Sequence, residues 1–138
     1  MYEPDGSAAA NELRLREAKA LLAAGFPQGS YYLAGYAVEC ALKACIAKRT
    51  REHDFPEKKL VNDSHTHDLG KLLQLADLRV ELDVAVQANP NMTSKLDAIL
   101  DWSEASRYDM NTTEEATDLL EAIEDQTGGL LPWIRSHW

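Results

Sequence analysis

The sequence predicts an all-α protein, an antiparallel bundle of about five helices. Apolar residues recur at helical spacing in several segments, the stretch from Tyr31 to Ala47 is apolar almost all round, and no alternating run is long enough for a strand. The length of 138 residues suits one domain, and 45% hydrophobic with 27% charged residues is a globular composition. We therefore expect one helical domain over 1–138, preceded by a tail at 1–7.

The first two helices are marked by caps and by the turn between them. Ser7 is the predicted N-cap of a helix over Ala8–Ala24, and Gly25 lies just past the end of that helix. The glycines and proline that follow are typical of a tight turn. Ser30 is then the predicted N-cap of a second helix, over Tyr31–Lys48.

The second helix is predicted to lie at the centre of the bundle. Between Tyr31 and Ala47 its only charged residues are Glu39 and Lys43, and a helix that is apolar nearly all round must be covered on every side. Gly35 in its interior costs about 1 kcal/mol relative to alanine. We expect this cost to be offset by the close approach of a neighbouring helix.

A polar connection and two short helices follow. Residues 49–66 are polar, contain Pro56, and are too many for an ordinary loop in a compact domain, which predicts a functional or mobile segment. A third helix is predicted to begin near Asp68 and to end near Ala76. A fourth, shorter helical segment is predicted over Leu78–Ala88.

The C-terminal third contains two further predicted helices and an apolar end. One helix is predicted over Thr93–Ser106. The next has the clearest start, because Thr112 and Glu115 have the spacing of a capping box, and it should end near Gly128. The apolar tail at 130–138 is expected to pack back on the bundle, with a dimer or partner contact as the alternative.

Charge is distributed unevenly along the chain. There are 23 acidic and 14 basic residues, and the formal net charge of -9 argues against indiscriminate binding to nucleic acid. Ten acids and one base lie between Asp97 and Asp125, whereas six bases and three acids lie between Lys43 and Lys59. The basic region remains available to phosphate. The acidic region is either a solvated face or a docking surface for a basic partner.

The expected compartment is the cytoplasm. Residues 1–11 do not resemble a signal peptide, and no run approaches the roughly 18 apolar residues of a membrane span. Cys40 and Cys45 would point about 140° apart on a helix, so they cannot form a disulfide with each other. We predict no membrane association and two buried, reduced cysteines.

One face of the second helix combines aromatic and charged residues. At helical spacing Tyr32, Tyr36, Glu39 and Lys43 lie within a narrow range of angles. The pair of Glu39 and Lys43 has the favoured order for residues four apart. Either this pair is structural, or the face is the wall of a polar cleft whose tyrosines stack on a base.

Three segments in order resemble the HEPN domain family. The string from Tyr31 to Ala44, with its aromatic start, small residues and Glu39-x-x-x-Lys43, is similar to the second HEPN helix. His67-Asp68-Leu69 resembles the start of the next helix. The stretch from Trp102 to Arg107-Tyr108 resembles the Arg-Tyr step before the last helix.

The resemblance implies an antiparallel helical bundle that usually dimerises. It also implies a role in prokaryotic defence, toxin–antitoxin or RNA-processing systems, sometimes beside a nucleotidyltransferase. Many members are metal-independent ribonucleases whose motif is an arginine followed, after four to six residues, by a histidine. In that mechanism a cation stabilises the phosphate and a base takes the 2′-hydroxyl proton.

The ribonuclease motif of the family is absent from this sequence. The four histidines are His53, His65, His67 and His137, and none follows an arginine at the required distance. Arg107 therefore matches only the arginine half of the motif, and we assign no catalytic residue. His65 and His67 have a spacing that can chelate, but without an evident closed ligand set we expect neither metal nor cofactor.

Ten residues are candidates for binding. Candidates for direct ligand contact come from the second helix, the following segment and the Arg-Tyr step: Tyr32, Tyr36, Glu39, Lys43, His67, Arg107 and Tyr108. Candidates for phosphate contact lie where the second helix meets the basic connection: Lys48, Arg49 and Arg51.

Three functional hypotheses follow from these residues. The first is a non-catalytic nucleotide- or RNA-binding module, a homodimer working with a nucleotidyltransferase or toxin partner. The second is a divergent metal-independent ribonuclease toxin, in which Arg107 works with Tyr108 or with a histidine supplied across the dimer. The third is an acidic interaction or antitoxin module that neutralises a basic partner.

Overall fold

The computed structural model describes residues 7–52, 66–108 and 110–137, with the backbone alone at 7–8, 49–52 and 107–108. This part of the chain is helical and contains no strand, which confirms the predicted all-α class. It contains seven α-helices and one 3-10 segment: α1 Ser7–Ala23, α2 Pro27–Glu52, α3 Leu69–Leu75, α4 Arg79–Ala88, α5 Asn91–Leu100, the 3-10 segment Glu104–Tyr108, α6 Thr113–Glu124 and α7 Leu130–Arg135.

The turn between α1 and α2 uses a glycine and a proline. Gly25 has φ 89°, a left-handed conformation that glycine adopts without a Cβ clash. Pro27 then begins α2, where its missing N–H costs nothing. Ser30 is therefore not the N-cap that the sequence predicted. It lies inside α2, where its N–H donates to Phe26 O at 3.1 Å, and its side chain is buried.

Helix α2 is the central helix of the bundle, as predicted. It packs against α1, α3, α6, α7 and the 3-10 segment, and its small residues Ala34, Ala37 and Ala41 are fully buried. It continues beyond Lys48 to Glu52, so the first four residues of the predicted connection 49–66 are helical. Residues 53–65 of that connection lie outside the described part of the chain.

The predicted helix over Thr93–Ser106 is divided in the structure. α5 ends at Leu100, and after a short turn the backbone forms the 3-10 segment. The turn brings the large apolar side chain of Trp102 inward, where it is 3% exposed.

The last two helices close the bundle. The predicted capping box of α6 is present, since Thr112 Oγ1 accepts from Glu115 N and Glu115 Oε1 accepts from Thr112 N, both at 3.1 Å. The predicted tail at 130–138 contains α7, whose Leu130, Leu131 and Ile134 are buried in the core. Among the described helices, none has the length and apolarity that crossing a bilayer requires.

Candidate functional site

An aromatic cluster joins α2 to the turn after α5. A Cβ placed on Gly35 would lie 2.2 Å from the Trp102 indole, so only glycine allows this contact. The ring centroids of Tyr32 and Trp102 are 6.0 Å apart, and Tyr36 stacks beside Tyr32 at 6.2 Å. The close approach predicted at Gly35 is therefore made by an indole rather than by a neighbouring helix.

Glu39 is the buried charge at the centre of the site. The residue is only 1% exposed, and burying a carboxylate is costly unless both oxygens have partners. Lys43 Nζ lies 3.3 Å from Oε2, and His67 Nδ1 lies 2.9 Å from Oε1. Because an ionised carboxylate only accepts hydrogen bonds, Nδ1 is the donor and Nε2 is left for other contacts.

The position of His67 is fixed by the start of α3. Asp68 is the N-cap of this helix, and its Oδ1 accepts from Lys71 N at 3.0 Å. Leu69 and Leu72, one turn apart, are buried in the common core. The cap and the packing together hold the preceding imidazole beside α2, although its side chain is 43% exposed.

A pocket of about 470 Å³ opens next to His67. It is lined by residues 66–69 at the start of α3 and by residues 100–105 after α5. Three of the lining side chains are carboxylates, those of Asp68, Asp101 and Glu104. His67 Nε2 lies 3.8 Å from Glu104 Oε2 across this pocket. Three carboxylates and one imidazole therefore line the pocket, whereas neither Glu39 nor Lys43 is among its lining residues.

The structure brings five of the predicted site residues into one continuous cluster. They run along one face of α2 and end at the segment before α3: Tyr32, Tyr36, Glu39, Lys43 and His67. Burial, followed by the neighbouring Cys40 and Glu39, raises the pKa of Tyr36, so its phenol stays protonated and can donate.

The other predicted site residues are not part of this cluster as far as the structure describes it. Lys48 is exposed and lies about 140° around α2 from Lys43, so the two lysines do not share a face. The remaining candidates lie outside the described residues or are described there by their backbone alone: Arg49, Arg51, Arg107 and Tyr108.

The pocket carboxylates Asp101 and Glu104 were not among the predicted site residues. The signal for them is the polar string Asp101-Trp102-Ser103-Glu104, which follows the last apolar residue of α5 and breaks its helical pattern. Within the described residues, no group of three or more His, Cys, Asp or Glu side chains is arranged to hold a metal ion.

Comparison with known proteins identifies the family. The model of the HEPN domain matches residues 10–127, which is most of the chain. A search of curated proteins found no match, and a search of solved structures found none either. The matched region includes α2, the cluster around Glu39 and the pocket. The chain therefore belongs to the HEPN domain family.

Proposed function

We propose that this HEPN chain is a nucleotide- or RNA-binding module that does not cleave its ligand. The observation that carries the proposal is the buried carboxylate of Glu39, which pairs with Lys43 and holds His67 at the edge of a pocket of about 470 Å³. An imidazole ring is a platform on which a base stacks. An ammonium group is a point charge that attracts phosphate.

The competing interpretation is that Glu39 only ties α2 to the start of α3. That role concerns stability and leaves no reason for the side chains of His67 and Lys43 to affect a ligand. The two interpretations differ in one measurable respect, since a binding role predicts variants that keep their helical fold and lose affinity. Alanine at His67 or Lys43 removes a contact group while Glu39 keeps one partner.

The test compares these two variants with matched controls. Wild type, His67→Ala and Lys43→Ala are titrated with AMP, GMP and a short single-stranded RNA by calorimetry, and helicity is checked by circular dichroism. His137→Ala and Lys95→Ala are the controls, because His137 pairs with Glu81 and Lys95 pairs with Asp125, away from the pocket. We expect roughly a tenfold loss of affinity in the first pair only, about 1.4 kcal/mol.

Two results would count against the proposal. If wild type binds none of the three probes, the pocket is not a nucleotide site. If all four variants lose affinity to the same degree, the loss reflects stability, and the cluster around Glu39 is structural.

A second candidate function is ribonuclease activity without a metal. It is favoured by His67 itself, because a histidine whose Nδ1 donates to a carboxylate presents Nε2 as a general base. Arg107 belongs to the 3-10 segment whose first two residues line the pocket. Labelled RNA incubated with EDTA should then be cleaved by wild type and not by His67→Ala, and cleavage that survives this substitution would exclude the mechanism.

The predicted partners stay predictions. A homodimer would give, in light scattering, about twice the 15.4 kDa of one chain. A nucleotidyltransferase or toxin partner would co-purify with the chain when the two are expressed together. Neither result is needed for the nucleotide-binding proposal, which concerns one chain.

A further inference from the structure

The carboxylates of the pocket determine which part of a nucleotide can enter it. A phosphate placed among Asp68, Asp101 and Glu104 would meet like charges, whose repulsion at 4 Å is about 1 kcal/mol in water and larger near a protein surface. A group with hydrogen-bond donors meets acceptors instead. The part of a nucleotide that fits is therefore the base, with its phosphate directed out of the pocket.

Asp101 is the carboxylate best placed to accept from such a group. Asp68 uses Oδ1 to cap α3, and Glu104 faces His67 Nε2 at 3.8 Å. Asp101 is the C-cap of α5 and, among the described residues, its carboxylate has no hydrogen bond or ion pair. Its backbone is held by the next residue, Trp102, whose indole is wedged against α2.

The four bases differ in what they present to a carboxylate. Guanine has two adjacent donors, N1–H and the 2-amino group, which match the two oxygens of one carboxylate. Adenine and cytosine each place a ring acceptor beside their amino group, and uracil has a single donor between two carbonyls. A carboxylate that accepts two parallel hydrogen bonds therefore selects guanine.

We propose that the pocket takes a guanine base, with N1–H and the 2-amino group donating to Asp101. This inference rests on the proposed nucleotide binding. The ring stacks on the imidazole of His67, whose side chain is 43% exposed at the edge of the pocket. The phosphate then stays outside the pocket, where the proposed function assigns it to Lys43, the partner of the opposite oxygen of Glu39 from the one that holds His67.

The first experiment measures the affinity of wild type for four mononucleotides. GMP should bind at least tenfold more tightly than AMP, because a good bidentate contact gives discrimination of about that size or more. IMP lacks the 2-amino group and should bind between these two. XMP has a carbonyl oxygen in place of that amino group, so it places an acceptor against the carboxylate and should bind weakly.

The second experiment tests whether a substitution at Asp101 changes the preferred nucleotide from GMP to XMP. Asp101→Asn presents one acceptor and one donor, which matches N1–H and the 2-carbonyl of XMP. This variant should lose at least tenfold in affinity for GMP and should prefer XMP. Asp97→Asn is the control, because Asp97 is an exposed aspartate one turn earlier on α5 and does not line the pocket. It should keep the preference for GMP.

The outcomes separate this inference from the function on which it rests. If GMP and AMP bind equally and Asp101→Asn changes neither, nucleotide binding stands and the guanine assignment is overturned. If no nucleotide binds, both fall. If spermidine binds, Asp101→Asn weakens its binding and no nucleotide binds, the carboxylates serve an amine ligand, which also overturns the assignment.

Discussion

Two ion pairs between a lysine and a carboxylate occupy different regions of this molecule. Lys43 lies 3.3 Å from Glu39 on α2, and Lys95 lies 2.7 Å from Asp125 at the end of α6. The lysine side chains are similarly covered, at 25% and 20% exposed. The carboxylates differ, since the side chain of Glu39 is 2% exposed and that of Asp125 is 26% exposed.

The partners of the two carboxylates differ as well. Asp125 Oδ1 accepts from both the N–H and the Oγ1 of Thr127 at 2.9 Å, so this carboxylate closes the turn after α6. In the hydrogen bonds and ion pairs described, Glu39 is contacted by the side chains of Lys43 and His67, which come from two separate segments.

The comparison shows that the shorter ion pair, Lys95 with Asp125, is the one that local structure accounts for. A loop-closing aspartate is accounted for by the turn that it stabilises. A carboxylate that is nearly inaccessible to water costs stability, and no turn accounts for Glu39. Under the proposed function its position is explained by the two side chains that it orients. The surroundings of a pair, rather than its distance, therefore indicate function.

The largest effect should come from filling the space under Trp102. Gly35→Ala places a methyl group 2.2 to 2.3 Å from three indole atoms, so the indole or α2 must move. Overpacking costs typically 1–3 kcal/mol, and three contacts this short place the cost at the upper end, about 3, of which the gain in helix propensity returns up to about 1. We expect a net loss of about 2 kcal/mol in the free energy of unfolding, measured with urea.

Gly29→Ala in the same helix is the matched control. Its new methyl group would meet only the end of the flexible Leu21 side chain, at 3.1 Å. The unfolding free energy of this variant should stay close to that of wild type. If Gly35→Ala and Gly29→Ala lose the same free energy of unfolding, the indole of Trp102 can shift at little cost. The contact with α2 would then not hold the wall of the pocket in place.

The second prediction removes one lysine from each pair. Lys43→Met leaves the buried Glu39 with His67 as its remaining described partner, and a buried acceptor that loses a partner costs about 1–3 kcal/mol. Lys95→Met should lose less, because Asp125 keeps Thr127 and is partly exposed to water. Urea unfolding at pH 7 measures both, and a larger loss in Lys95→Met would reverse the comparison.

Much of the fold follows from patterns that act within a few residues. The capping box at Thr112 and the central position of α2 were both correct, because caps and burial leave local traces in the sequence. Ser30 failed as a cap because Pro27 starts the helix earlier. The break after Leu100 was missed because it depends on Trp102 reaching α2, which is a tertiary contact.

The site was predicted only in part, for a similar reason. The pairing of Glu39 with Lys43 is a contact between residues four apart, so helical geometry is sufficient to predict it. The contact between Glu39 and His67 spans 28 positions and depends on how α3 packs against α2. The presence of Asp101 in the lining of the pocket has the same origin, because the pocket forms only where the turn after α5 meets the start of α3.

The smallest effect concerns the pair of Lys95 and Asp125, whose contribution to stability should depend on pH. The Lys95 ammonium, together with Thr127, lowers the pKa of Asp125 from 3.8 to about 2. Since the folded pKa lies below the unfolded one, this carboxylate adds stability above about pH 4, and the contribution is lost as the pH falls towards 2. Asp125→Asn should therefore have a lower thermal midpoint than wild type at pH 6, and the gap should narrow between pH 4 and pH 2.

Lys95→Met provides the control for this pH dependence. It removes the first cause of the low pKa of Asp125, so its own gap from wild type should narrow over the same range of pH. Glu115, whose pKa is lowered by its hydrogen bond from Thr112 N, is present in all three proteins and cancels in the comparison. A gap that stays constant from pH 6 to pH 2 would show that Asp125 stabilises the turn through hydrogen bonds that do not depend on its charge, and the contrast with Glu39 would then rest on burial alone.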